Sequence, residues 1–198
     1  METRSIQLAG KELAAAIVEC MNGVRDNNED PIDIYAVVVA ILDDFSDVQL
    51  YANTESNFAS TDGTATDRWY FGQFWSEGMP LDSSALSSHL GEVESWDEDS
   101  EPANSNAVDW LAAMTFAMRF AKDKGAFSSD GKNATAYCSM VDSLNAIWLE
   151  DLSARFINDP DIYVAAADGI KAASAQWYQS EVDQGSLAFR DAYQSRLR

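Results

Sequence analysis

Residues 34–52 read IYAVVVAILDDFSDVQLYA. Ile34 to Leu42 is β-branched and nearly unbroken in apolar residues, the composition of a strand buried on both faces. Asp43-Asp44-Phe45-Ser46-Asp47 supplies turn formers. Val48 to Ala52 then alternates apolar with polar, as the partner arm of a hairpin should. A fully buried arm needs cover on both sides. The rest of the chain is therefore expected to provide helices that pack over a small sheet.

Working outward, Ile6, Leu13, Ile17 and Met21 recur near helical spacing, which predicts a first helix over Ile6 to Val24 with Asn22-Gly23 as its stop. The stretch from Asp26 to Pro31 reads as a polar linker, and residues 53–67 as a polar loop. Arg68 to Trp75 (RWYFGQFW) is the densest aromatic segment, either an irregular strand or a wall over the core. After Pro80 a short helix is expected from Asp82, as N-cap, to about Leu90. Ala107 to Lys124 is apolar over most of a helical circumference and should be central. Gly125 to Lys132 is turn-rich, and Ala134 to Val141 reads as a further strand. Leu144, Ile147, Trp148, Leu152 and Phe156 step at three and four residues, the apolar stripe of an amphipathic helix. Pro160 opens another helix through Ile162, Ile170 and Trp177, and a last one carries Leu187, Tyr193 and Leu197. The expectation is a single α+β domain over residues 1–198. It has a small, mainly antiparallel sheet of three or four strands packed against several helices, and a helical C-terminal half. Because the hairpin comes early and another strand late, the sheet must join distant parts of the chain.

The charge is as uneven as the apolar pattern. The chain carries 33 acidic and 13 basic residues, a net of −20. Between Asp26 and Met118 stand 19 acidic residues and one basic residue, Arg68, a net of −18, while the remainder holds 14 acidic and 12 basic. So one-sided a field works against folding through self-repulsion, and its simplest purpose is a strongly basic partner. A halophilic surface would spread its charge over the whole chain. Phosphate binding needs Lys and Arg, so nucleic acid is not an expected partner. Anionic membrane surfaces are disfavoured for the same reason. The chain is 46% hydrophobic with six Trp, too rich in core formers for a disordered acidic tail. No run of about 18 apolar residues suggests a membrane span. The N-terminus reads as an amphipathic helix, not a signal peptide, so a cytoplasmic protein is expected. Cys20 and Cys138 lie in apolar contexts and read as reduced, buried thiols.

No catalytic signature accompanies this charge. His89, in SSHLG, is the sole histidine and reads as a surface or helix-end residue. There is no G-x-S-x-G elbow, P-loop, G-x-G-x-x-G or C-x-x-C spacing. Asp97, Asp99 and Glu101 alternate as calcium ligands can, but Pro102 stands where the loop needs glycine, and Asp26, Asn28 and Asp30 meet Pro31 in the same way. Asp43 and Asp44 are explained by turn chemistry. Cys138 has no nearby His or cation to activate it. Trp69, Tyr70, Phe74 and Trp75 read as core or sub-surface, with one or two available as interface anchors. No catalytic residue, metal site or cofactor is expected.

The order of the first helix, the IYAVVVAI strand with its VQLYAN partner, RWYFGQFW, the helix ending AKDKGAF, the strand ending Val141-Asp142-Ser143 and LSARFINDP resembles an uncharacterised bacterial family, a domain of unknown function. The resemblance covers most of residues 1–165, and its motifs are structural. It implies a setting in bacterial toxin–immunity neighbourhoods, beside SUKH-type immunity proteins, and carries over no catalytic residues. The acidic stretch from Glu92 to Glu101 looks like a local elaboration on it. The expected function is thus an immunity protein that neutralises a cognate, basic bacterial toxin, such as a nuclease, by occluding its cleft. The candidate partner-binding residues are Glu92, Glu94, Trp96, Asp97, Glu98, Asp99 and Glu101, with Asp43, Asp44 and Asp47 of the hairpin turn. Trp96 is an aromatic that would otherwise be wasted in water. Two alternatives stand beside it. One is an enzyme of unfamiliar type, with a carboxylate or divalent-cation pocket near Trp69 to Trp75. The other is a non-catalytic regulatory module for another basic protein.

Overall fold

The computed structural model describes residues 3–26, 33–42, 44–60, 63–65, 67–71, 78–93, 106–129, 132–141, 143, 145–177 and 184–198. The hairpin forms as its sequence dictates. Strand β1 (Ile34–Ile41) has all eight residues buried, and β2 (Val48–Thr54) pairs with it antiparallel, from Ile41 opposite Val48 to Ile34 opposite Thr54. The register slips once between Ile34 and Ala36, a bulge at the start of β1.

The first helix, α1 (Thr3–Asp26), overruns the expected Asn22-Gly23 stop. A lone helical Gly costs only about 1 kcal/mol. Set against it, Arg25 donates to the carbonyls of Ala126 at 2.6 Å and Ser128 at 3.0 Å, which holds the last turn in place. The expected polar loop after β2 is also partly helical. Thr54 Oγ1 accepts the amide of Asn57 at 3.1 Å, an N-cap contact that starts α2 (Glu55–Ser60), and a 3-10 turn follows at Asp67–Trp69.

Next come β3 (Met79–Pro80), which adds to the edge of β2, and α3 (Ser84–Leu90). Ser83, not Asp82, occupies the cap position of α3. Asp82 still accepts the Ser84 amide at 3.0 Å, one residue earlier than expected. Helix α4 (Asn106–Asp123) is buried almost all round. A two-residue ribbon, β4 (Ser128–Ser129) with β5 (Lys132–Asn133), leads into β6 (Thr135–Met140). Strand β6 docks parallel to β1, Ala36 opposite Thr135 through Ile41 opposite Met140. The order β3-β2-β1-β6 makes the sheet mainly antiparallel with one parallel pair. Helices α5 (Ala146–Ile157), α6 (Pro160–Trp177) and α7 (Gln184–Arg196) complete an α+β fold with a helical C-terminal half.

The two faces of the sheet are covered differently. Val37, Val39, Ile41 and Leu50 join the large core that includes α1 and α4. Helices α1 and α4 cross at Gly10, where a Cβ would lie 2.8 Å from the Ala113 carbonyl oxygen and 2.9 Å from Phe116 Cβ. Only glycine permits that approach. On the other face Tyr35, Val38 and Tyr137 pack with Phe71 and with Ala166 and Ile170 of α6. Helix α7 is fastened to α4 by Tyr193 and Thr115, hydroxyls 2.7 Å apart, and by Arg196 on the buried Asp109 at 2.7 Å. Among the described residues no helix is long and apolar enough to cross a membrane.

Helix α5 departs most from its expected face. Ile147, Leu152 and Phe156 of the predicted stripe are only half-buried, and Leu144 lies outside the described residues. The buried side carries Trp148 and Leu149 together with Glu150 and Ser153. Those two polar residues have partners waiting. Ser153 Oγ accepts the Cys138 amide at 2.9 Å, and Glu150 accepts hydroxyl hydrogen bonds from Ser139, at 2.5 Å, and from Ser174.

Candidate functional site

The turn from β1 to β2 presents its charges from a strained, anchored base. Phe45 sits at φ 60°, in the left-handed region that a bulky residue rarely enters, and the residue is only 5% exposed. It packs edge-on against Trp110 of α4, with ring centroids 6.1 Å apart. Burial of Phe45 turns its neighbours outward. Asp44 is exposed and Asp47 half-buried. The hydroxyl of Ser46, and then its amide at 2.9 Å, hold the Asp44 carboxyl below the usual carboxylate range, so it is ionised at neutral pH. Asp47 accepts the side-chain amide of Gln49 at 2.5 Å.

The same Trp110 ties down the start of the acidic stretch. Its indole N–H donates to the Gly91 carbonyl at 2.9 Å. The Asn106 side-chain amide donates to the carbonyl of Glu92 at 3.1 Å, so residues 92 and 106 meet at a pinned base. Glu92 itself is exposed. Asp44, Asp47 and Glu92 thus flank one aromatic anchor, and none of them forms an ion pair with a described residue. Asp43, Glu94, Trp96, Asp97, Glu98, Asp99 and Glu101 lie outside the described residues. Neither Phe45 nor Trp110 stands among the sequence candidates. An aromatic inside a run of turn formers was the available signal for Phe45.

Of the aromatic segment, Arg68 to Phe71 are described, while Phe74 and Trp75 are not. Trp69 borders a cavity of about 440 Å³ at the start of β1 and β6. Arg68 grips Glu55 with both terminal nitrogens and lies 3.9 Å from the centroid of the Tyr35 ring. Tyr35 donates its hydroxyl to the Arg68 carbonyl at 2.6 Å, and burial pushes its phenol up to about 12.

The remaining candidates are structural. His89 meets Glu12 of α1 at 3.0 Å. Cys138 is buried, and burial raises its thiol to about 12; Cys20 is half-buried with its sulfur 3.6 Å from that of Met79. Among the described residues, no group of three or more His, Cys, Asp and Glu is placed to hold a metal ion. Burial raises the Glu150 carboxyl to about 7, with the two serine hydroxyls pulling the other way. The sequence reading assigned Glu150 no role, because a Glu on an amphipathic helix normally faces solvent.

Comparison with protein-family models, with curated proteins and with solved structures finds no match to this chain.

Proposed function

We propose that this chain is an immunity-type inhibitor that neutralises a basic toxin protein by binding it. The observation that carries the proposal is Trp110, which holds the hairpin turn through Phe45 and the base of the acidic stretch through Gly91. Described residues of two segments that are far apart in sequence, both rich in carboxylates, are thereby joined at one anchor. Asp44, Asp47 and Glu92, which form no ion pair with a described residue, keep their field for a partner. Complementary charge speeds association and excludes wrong partners, while buried aromatics supply much of the affinity. A nuclease fits as the target class, since its cleft is basic in order to hold phosphates. The resemblance expected from the sequence, to a family of toxin–immunity neighbourhoods, would imply the same class.

The test is affinity capture from lysate of the source organism with the full chain as bait, at low and at moderate salt. It is paired with a variant carrying Asp44→Lys, Asp47→Lys and Glu92→Lys. The expected result is a basic toxin at one-to-one stoichiometry, lost by the variant, together with protection of cells that express the toxin. A basic partner without toxicity would replace immunity with regulation. A toxin retained by the variant would move the interface elsewhere.

A further inference from the structure

The cavity beside Trp69 lies at the opposite end of β1 from the acidic turn, and its chemistry is different. One wall is sheet, from Ile34 and Thr135, and another is the small-residue face of α6, Ala165 and Ala166. Trp69 closes against that helix at Gly169, where a Cβ would lie 2.2 Å from the indole nitrogen. Glycine there lets the aromatic ring press on the α6 backbone. The indole is further fixed by its own carbonyl, which accepts the Tyr137 hydroxyl. The pocket is therefore pre-formed, with an apolar body and a charged mouth, at a volume suited to a small ligand.

The mouth carries two charges of each sign. Arg68 is the single cation between Asp26 and Met118, and it is spent on Glu55 within the protein. That leaves Asp33 and Lys132. Asp33 is placed by its own carbonyl, which accepts the Glu55 amide at 3.1 Å, and its carboxylate accepts the Ser56 hydroxyl at 3.2 Å. Lys132 projects from β5 and is exposed. Among the described residues neither Asp33 nor Lys132 forms an ion pair. One carboxylate and one ammonium, neither ion-paired with a described residue, therefore border the same apolar cavity.

The geometry points to a binding site for a small zwitterion of α-amino-acid chemistry with an apolar side chain. Its ammonium pairs with Asp33, its carboxylate with Lys132, and its side chain lies against Trp69, Ile162 and Ala165. A purely anionic ligand would leave Asp33 opposed, and a purely cationic one would leave Lys132 opposed. A zwitterion satisfies both groups without adding net charge. The site is independent of the acidic turn and of any toxin.

Calorimetric titration of the full chain tests this, with L-phenylalanine and L-leucine as probes. Phenethylamine, which lacks the carboxylate, and 3-phenylpropionate, which lacks the ammonium, serve as controls. L-Phenylalanine should bind at least about tenfold more tightly than either control. Lys132→Ala should reduce it to the level of phenethylamine, and Asp33→Asn to that of 3-phenylpropionate. Ala165→Phe, on an exposed helix position, fills the cavity and should abolish binding with the melting temperature retained. Silence from both amino acids at millimolar concentration overturns the proposal. So does binding of phenethylamine or 3-phenylpropionate as tight as that of L-phenylalanine, or undiminished binding by Ala165→Phe.

Discussion

The two ends of β1 handle charge in opposite ways. At its C-terminal end the turn exposes Asp44 and leaves Asp47 half-buried, with no described cation to answer them. At its N-terminal end Glu55 is matched by Arg68, and the guanidinium rests on Tyr35. Eight residues of strand, on the order of 25 Å, separate the two. That exceeds the Debye length of about 8 Å at physiological salt, so the ends act as separate electrostatic units. Local charge balance, not the net charge of the chain, therefore decides what each end can bind. The acidic end suits a basic macromolecule, and the balanced end a small neutral one.

The largest expected effect tests that separation directly. Reversing Asp44, Asp47 and Glu92 to Lys should weaken the basic partner by on the order of a hundredfold at low salt, since like charges at an interface oppose binding. The same variant should leave amino-acid titration at the Trp69 cavity unchanged. Coupled losses at both sites would erase the distinction.

A buried carboxylate offers the next contrast. Glu150 is raised from an ordinary 4.5 to about 7 by desolvation. The folded chain therefore binds this proton more strongly than the unfolded chain. Stability should fall as pH rises from about 4.5 to about 7, by about 3 kcal/mol from this group, and be indifferent to it outside that window. Chemical denaturation of Glu150→Gln across this range should lack that component of the slope. An unchanged slope would place the titration on other groups.

At the balanced end, Arg68→Met should lower stability by about 1–2 kcal/mol in urea denaturation, through loss of the paired carboxylate contact and the contact with the Tyr35 ring. It should leave partner capture at the acidic end intact. The smallest effect is ionic. Raising salt from about 0.05 M to about 0.5 M should raise the melting temperature of the free chain by a few degrees, as self-repulsion is screened, while weakening partner binding. Charge reversal at the acidic end should shrink both responses.

Much of the scaffold was legible because its signals are local. The β-branched run of β1, the alternation in β2 and the apolar circumference of α4 each follow from neighbouring residues, and each element stands within a residue or two of its expectation. Helix ends were less legible. Gly23 reads as a stop, yet Arg25 finds the carbonyls of Ala126 and Ser128, about a hundred positions away. The helix after β2 hid behind polar composition, although the Thr54 cap was there to read. On α5 the stripe was misplaced because apolar spacing cannot register that Glu150 meets Ser139 and Ser174.

The sequence by itself determined the α+β class, the early hairpin, the central helix and the concentration of negative charge in one half of the chain. These depend on periodicity, β-branching and charge counts, which need no knowledge of distant contacts. Only the tertiary structure decided that β6 lies parallel to β1, that Trp110 joins the hairpin turn to the base of the acidic stretch, and that Asp33 and Lys132 share a cavity. Such pairings are set by chain closure and mutual burial of residues tens of positions apart, and no local pattern of residues encodes the partner that each will meet.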